Sequence, residues 1–135
     1  MGEGTPGGRI GLANWTRAGF LGELFGVIGK YVPPPPGVPS PMQWADEEQL
    51  RHWFKHAKVH AAKRNFMFRY QSPQHWIDIF RKFYGPIHKA YASIDASGQQ
   101  HLYDDLEAML KRRNTGGANS LVVPGEYLEA VITLR

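Results

Sequence analysis

The stretch Arg9-Ile10-Gly11-Leu12-Ala13-Asn14-Trp15 (RIGLANW) sets the reading of everything around it. It is a short apolar run bounded by turn residues, the pattern of a strand buried on both faces. Thr16 follows in position to cap a helix. The apolar positions Phe20, Leu24, Val27, Ile28 and Tyr31 recur at helical spacing, so a helix is expected between Thr16 and Val32. Gly19, Gly22, Gly26 and Gly29 weaken it by about 1 kcal/mol each relative to alanine, so it depends on tertiary support. Gly22 and Gly26 form a GxxxG, which outside a membrane means close packing against a neighbouring element.

Further along, residues 33–41 (PPPPGVPSP) can be neither helix nor central strand. They are expected to run as an extended, stiff connector; a ligand for a proline-reading domain is the alternative. Asp46 and Gln49 resemble a capping box, opening a helix whose face of Leu50, Trp53, Phe54 and Ala57 should be buried. Between Val59 and Tyr70 the period changes to that of a strand, with Ala62, Phe66, Phe68 and Tyr70 on one side. Ser72 and Pro73 suit the cap and first turn of a helix carrying Trp76, Ile77, Phe80, Phe83 and Tyr84 as an aromatic stripe, stopped by Gly85 and Pro86. A helix with Ile87, Tyr91 and Ile94 follows, then a turn at Ser97 and Gly98. A last helix then carries Leu102, Leu106, Met109 and Leu110 and ends in the basic run Lys111 to Arg113, which complements the helix dipole. The chain closes with Leu121 to Val123, a bend at Pro124 and Gly125, and a terminal strand from Tyr127 to Leu134. Strands alternating with helices make the fold class α/β.

The 135 residues, 42% hydrophobic and 13% aromatic, suffice for one compact domain spanning 1–135. Without cysteine there are no disulfides, thiolate metal sites or thiol catalysis, which fits a reducing cytoplasm. MGEGTPGGR has neither the basic start nor the apolar run of a secretory signal, so no export is expected. The most apolar stretch, Phe20 to Val32, contains Glu23 and is far shorter than the roughly 20 residues of a membrane helix. A net charge of +4 permits nucleic-acid contact without demanding it.

Few residues point to chemistry. Gly2, Gly4 and Gly7 fit G-x-G-x-x-G, but the mechanism needs a strand before the motif and a helix after it, and the match precedes a strand. His52, His56 and His60 are spaced by four and would align for zinc or nickel only on one continuous helix, which is not expected to reach His60; no metal site is assigned. Asp104, Asp105 and Glu107 are expected to form the solvated face of the last helix, so no catalytic residue is assigned. The aromatics carry more. Trp15 stands at a strand end, where open α/β sheets commonly bind ligands, and Phe83 and Tyr84 lead into the sharp Gly85-Pro86 break.

Taken in order, PGGRIGLANW, PPPPGVPSPMQW, FMFRY, FYGPIHKAY, the region of Asp104, Asp105 and Leu106, and EYLEAVITLR resemble successive landmarks of class I S-adenosylmethionine-dependent methyltransferases of the ubiquinone and menaquinone biosynthesis group. The resemblance runs from Thr5 onward and covers the carboxyl-terminal portion of such a domain. It implies part of a Rossmann-like sheet. Arg9 to Trp15, Val59 to Tyr70 and Tyr127 to Leu134 would be its fifth, sixth and seventh strands, the seventh antiparallel between the other two. By the same resemblance Asn14 and Trp15 would border the site of a small-molecule methyl acceptor, and Phe83 and Tyr84, the aromatics at the Gly85-Pro86 break, are assigned to substrate contact with them. The glycine loop and acidic residue that hold S-adenosylmethionine in the family have no counterpart here, so no cofactor-binding residue is assigned and this chain alone is not expected to bind that cofactor. The implied state is inactive in isolation, with a homodimer or a separate amino-terminal half as partner. A noncatalytic small-molecule or protein-binding module and a basic nucleic-acid-binding protein are the alternatives.

Overall fold

A computed structural model describes residues 7–33, 36–37 and 41–135, the side chain of Pro41 excepted. Gly2, Gly4 and Pro6, and residues 34–35 and 38–40 of the proline-rich connector, lie outside the described residues. The fold is α/β. Strands β1 (Arg9–Trp15), β2 (Lys58–Tyr70) and β3 (Leu121–Thr133) form an antiparallel sheet in the order β1-β3-β2. The helices are α1 (Phe20–Tyr31), α2 (Glu47–Trp53), α3 (Pro73–Phe83), α4 (Gly85–Ala92) and α5 (Ala96–Arg113), with a 3-10 turn at Pro41–Ala45.

The chain divides into two compact units, each assembled from separated segments: Met1–Gly22, Pro39–Phe66 and Gly125–Arg135 make the first, Glu23–Val38 and Met67–Pro124 the second. In the first unit, β1 and β3 pair antiparallel from Arg9 with Thr133 to Trp15 with Tyr127. That register puts Ile10 and Leu12 on the same face as Leu128, Ala130 and Ile132, because side chains alternate across a strand. This face packs with Val59 of β2 and with Leu50 and Phe54 from α2 and its end, and Trp44, Ala45 and Ala61 complete the cluster. The opposite positions of β1, Arg9, Gly11 and Ala13, are exposed. β1 is thus covered on one face and open on the other, where burial on both faces was expected.

Asp46 caps α2 as its sequence indicates, accepting a hydrogen bond from the Gln49 amide at 3.2 Å. The helix is short, however, and Trp53 is 40% exposed, packing on Trp44 with ring centroids 4.8 Å apart instead of entering the core. In β2 the buried side chain is Val59, with Ala61 half-buried, whereas Ala62 and Phe66 are exposed. The expected set Ala62, Phe66, Phe68 and Tyr70 therefore does not form one buried face. Its last two members are half-buried.

The second unit is mainly helical. Trp76 and Ile77 of α3, Ile87, Ala90 and Tyr91 of α4, and Leu102, Leu106, Met109 and Leu110 of α5 are all buried. α3 contacts both α4 and α5. Ser72 caps α3, its hydroxyl accepting from the His75 amide at 3.0 Å, with Pro73 at the first position, where the missing N–H costs nothing. Trp76 stacks on Phe80 at 4.0 Å and 14° between planes, and Phe80 meets the edges of Phe68, Tyr70 and Tyr84. Phe83 departs from the expected stripe. It is 80% exposed.

Two turns read from the sequence are absent. Ser97 and Gly98 lie inside the first turn of α5, because Asp95 caps that helix and accepts from the Gly98 amide at 2.8 Å. Pro124 and Gly125 lie inside an unbroken β3. Proline normally interrupts a central strand by lacking a donor, but the register of β1 on β3 stops at Tyr127, so at Pro124 that flank of β3 has no β1 bond to supply.

Candidate functional site

Asn14 and Trp15 end β1 and are both half-buried. Trp15 meets Tyr127 edge-on, with ring centroids 6.0 Å apart and planes at 84°. The chain then turns sharply. Thr16 is buried, and its hydroxyl donates to the Glu126 carboxylate at 2.8 Å while its amide donates to the Glu126 carbonyl at 3.1 Å. Thr16 therefore ties the end of β1 to β3 and does not cap α1, which begins only at Phe20. Gly19 sits against the same pair: a Cβ there would lie 2.9 Å from the Thr16 hydroxyl and 3.0 Å from the Glu126 Cβ. The first unit thus presents, at the carboxyl end of β1, a tryptophan, an asparagine and a carboxylate held by a threonine. Glu126 escaped the sequence reading because nothing in its local pattern distinguishes it from any polar strand residue.

Phe83 and Tyr84 belong to the second unit. Tyr84 links α3 to α4, its amide donating to the Phe80 carbonyl at 2.8 Å, and its ring lies 5.5 Å from that of Phe80. Burial pushes its phenol pKa up, which favours the neutral form. The four residues assigned to substrate contact therefore fall two in each unit.

A cleft of about 420 Å³ lies within the second unit, lined by Gln71, Ser72, Pro73, Lys111, Asn114 and Ser120 among others. Its walls are largely committed to the fold. Asn114 donates to the carbonyls of Gly117 and Ser120 at 2.9 and 2.8 Å and accepts from the amides of Gly116 and Val122 at 2.8 and 2.9 Å, which spends its whole side-chain capacity on one loop. Lys111 pairs with Glu107 at 3.5 Å.

The acidic and basic residues singled out in the sequence have structural partners. Asp105 accepts from the Tyr31 hydroxyl at 2.5 Å and from Lys30 at 3.3 Å, so it is not simply part of a solvated face. That bond holds the Asp105 carboxyl below its ordinary range and pushes the Tyr31 phenol up to about 12. Arg112 and Arg113 both donate to the Glu23 carboxylate, Arg113 at 2.5 Å. Burial would raise the Glu23 pKa, but the two guanidinium hydrogen bonds outweigh it and the carboxyl is lowered. The basic end of α5 is thus engaged with α1 in addition to its dipole. The three histidines do not share a helix: α2 ends at Trp53, and His60 lies in β2. No group of three metal-ligating side chains occurs among the described residues.

No family model matches the chain. Uncharacterized proteins of Mycobacterium tuberculosis and Mycobacterium bovis are similar to it, each 36% identical over 92 residues. Those matches cover 65% of this chain and 34% of each relative, so the chain spans about a third of the length of the curated relatives it matches. No helix among the described residues is long and apolar enough to cross a membrane.

Proposed function

We propose that the chain is the substrate-side portion of an S-adenosylmethionine-dependent small-molecule methyltransferase with a partial Rossmann-like sheet, inactive by itself. The observation that carries this reading is the strand order β1-β3-β2, with the carboxyl-terminal strand antiparallel in the middle. That is the order which the resemblance implies for the fifth, seventh and sixth strands. The carboxyl end of β1 carries an aromatic, Trp15, on one face and an amide, Asn14, on the other, and the aromatic adds a wall for a planar organic acceptor, since ligands of open α/β sheets sit at strand carboxyl ends. Asn14 and Trp15, both in the first unit, are the residues assigned to it. Nothing in the described residues supplies the glycine loop and ribose-binding carboxylate that would fix a methyl donor, and methyl transfer depends on that fixation.

The mycobacterial relatives, about three times as long as the matched region, provide the test. Calorimetry should detect S-adenosylmethionine binding by a full-length relative and none by the present chain. Deleting from the relative the segment that matches this chain should abolish methyl transfer while leaving cofactor binding measurable. A full-length relative with no affinity for S-adenosylmethionine overturns the reading, and micromolar binding by the present chain overturns its inactivity in isolation.

A further inference from the structure

From the edge of the sheet at β1 we infer that this chain forms a two-fold dimer, in which β1 of one copy pairs antiparallel with β1 of a second copy. Among the described residues β1 is the outermost strand, hydrogen-bonded on one side to β3. The bonds from the Leu134 amide to the Gly8 carbonyl and from the Thr16 amide to the Glu126 carbonyl mark the even-numbered residues from Gly8 to Thr16 as those that bond to β3, while the Gly7 amide, before the strand, also bonds to the Leu134 carbonyl and leaves two residues opposite one there. Antiparallel ladders alternate, so Arg9, Gly11 and Ala13 direct their amides and carbonyls away from β3. Exposed edges of this kind recruit other strands unless proline, a bulge or lysine blocks them, and Ile10 to Ala13 contain no proline and no charge.

The strand's own sequence selects a second copy as the occupant. An antiparallel register centred on Leu12 overlaps all seven residues. It exchanges both hydrogen bonds between Gly11 of one copy and Ala13 of the other, twice over by symmetry. Leu12 then meets Leu12 of the second copy on the face already packed against α2, continuing the apolar layer of Ile10, Leu12, Leu128 and Ala130 across the axis. The strand's single charge, Arg9, falls opposite Trp15 of the second copy and not opposite another Arg9, replacing repulsion with a cation-ring contact. On the outer face Gly11 and Ala13 leave no bulk to keep the strands apart. The product is a continuous six-stranded sheet. This inference does not rest on the proposed methyltransferase role.

Sedimentation equilibrium of the purified chain over a wide concentration range tests it together with Gly11→Lys. A Cβ at Gly11 meets nothing within 4 Å and the residue has no left-handed backbone, so the substitution leaves the monomer intact while placing two ammonium groups beside the two-fold axis. The wild-type mass should rise from 15.3 kDa to twice that value with concentration, and the variant should stay at 15.3 kDa with an unchanged circular dichroism spectrum. Hydrogen exchange keeps the test independent of any substitution: the Gly11 and Ala13 amides should exchange at least about tenfold more slowly at high concentration than at low. A wild-type chain that remains monomeric, or a dimer whose mass and Gly11 and Ala13 exchange ignore these changes, overturns the pairing. So does a monomer in which those amides become protected only when the remaining portion of a mycobacterial relative is added; the edge would then belong to that partner.

Discussion

The two units solve the same problem, the burial of a few large side chains, by different means. In the first, the backbone fixes the arrangement: the register from Arg9 with Thr133 to Trp15 with Tyr127 dictates which side chains face the cluster, and the Thr16 to Glu126 tie closes the end. In the second, helices bury side chains along stripes and are cross-linked by charged pairs, α1 to α5 through Glu23 with Arg112 and Arg113 and through Tyr31 with Asp105. A register is all-or-none, whereas a helix stripe tolerates local exchange. The first unit should therefore be sensitive to backbone space, and the second to lost volume and to pH.

Removing Trp76 should have the largest effect. Trp76→Ala deletes a fully buried indole stacked on Phe80, and a loss of about 3–5 kcal/mol is expected by urea denaturation. A loss below about 1 kcal/mol would mean that α3 repacks freely. The glycines of α1 sharpen the contrast. A Cβ on Gly22 would lie 2.1 Å from the Arg17 carbonyl oxygen, so Gly22→Ala forces the backbone between β1 and α1 to move, at a cost of about 2–3 kcal/mol. Gly26 and Gly29 have open space, and Gly26→Ala should instead stabilise by up to about 1 kcal/mol through helix propensity. Thermal melts of the two variants should move in opposite directions. Equal shifts would remove the distinction between the halves of this helix.

Thr16→Val keeps the shape but leaves the Glu126 carboxylate without its hydroxyl donor, and about 1–2 kcal/mol should be lost. The smallest effect is the pH dependence of the second unit. Glu23 and Asp105 are depressed in the folded protein, so their stabilisation is present above their ordinary values of 4.5 and 3.8 and is lost as pH falls through the lower folded values. Tyr31 is raised to about 12, so its contribution is present below pH 10 and lost as pH rises towards 12. Tyr31→Phe should make the alkaline limb shallower, leaving the part due to the raised phenols of Tyr84, Tyr91 and Tyr103, and should make the acid limb shallower too, because Asp105 loses the bond that most depresses it. Denaturation midpoints from pH 2 to pH 12 measure both limbs, and an unchanged alkaline limb in the variant would show that Tyr31 does not cause it.

Local signals were legible wherever the chemistry is local. Arg9 to Trp15 forms the expected strand, the caps Asp46 and Ser72 receive the expected amides, and the apolar period of Leu102, Leu106, Met109 and Leu110 marks the buried side of α5. Where the sequence misled, a local rule met a competing partner. Thr16 has the type of a helix cap, but a carboxylate 110 residues away takes its hydroxyl. Ser97 and Gly98 have turn composition, but Asp95 caps first and places both inside a helix. Pro124 should break a strand, yet it falls where β1 has already ended.

The candidate site divides in the same way. Its aromatic members can be picked out from residue type and from breaks in the pattern. Glu126, the Tyr31 to Asp105 pair and the grip of two arginines on Glu23 could not, because each joins residues 74 or more apart in sequence. Sequence by itself determined where most elements lie, the caps of α2 and α3, the absence of cysteine chemistry and the apolar stripe of α5, since propensity, periodicity and capping act over a few residues. Only the tertiary structure decided which face of β1 is covered, that Phe83 and Trp53 stay in solvent, and which charges are neutralised. Those outcomes depend on which distant surfaces meet, and burial and pairing are properties of that meeting, not of any one segment.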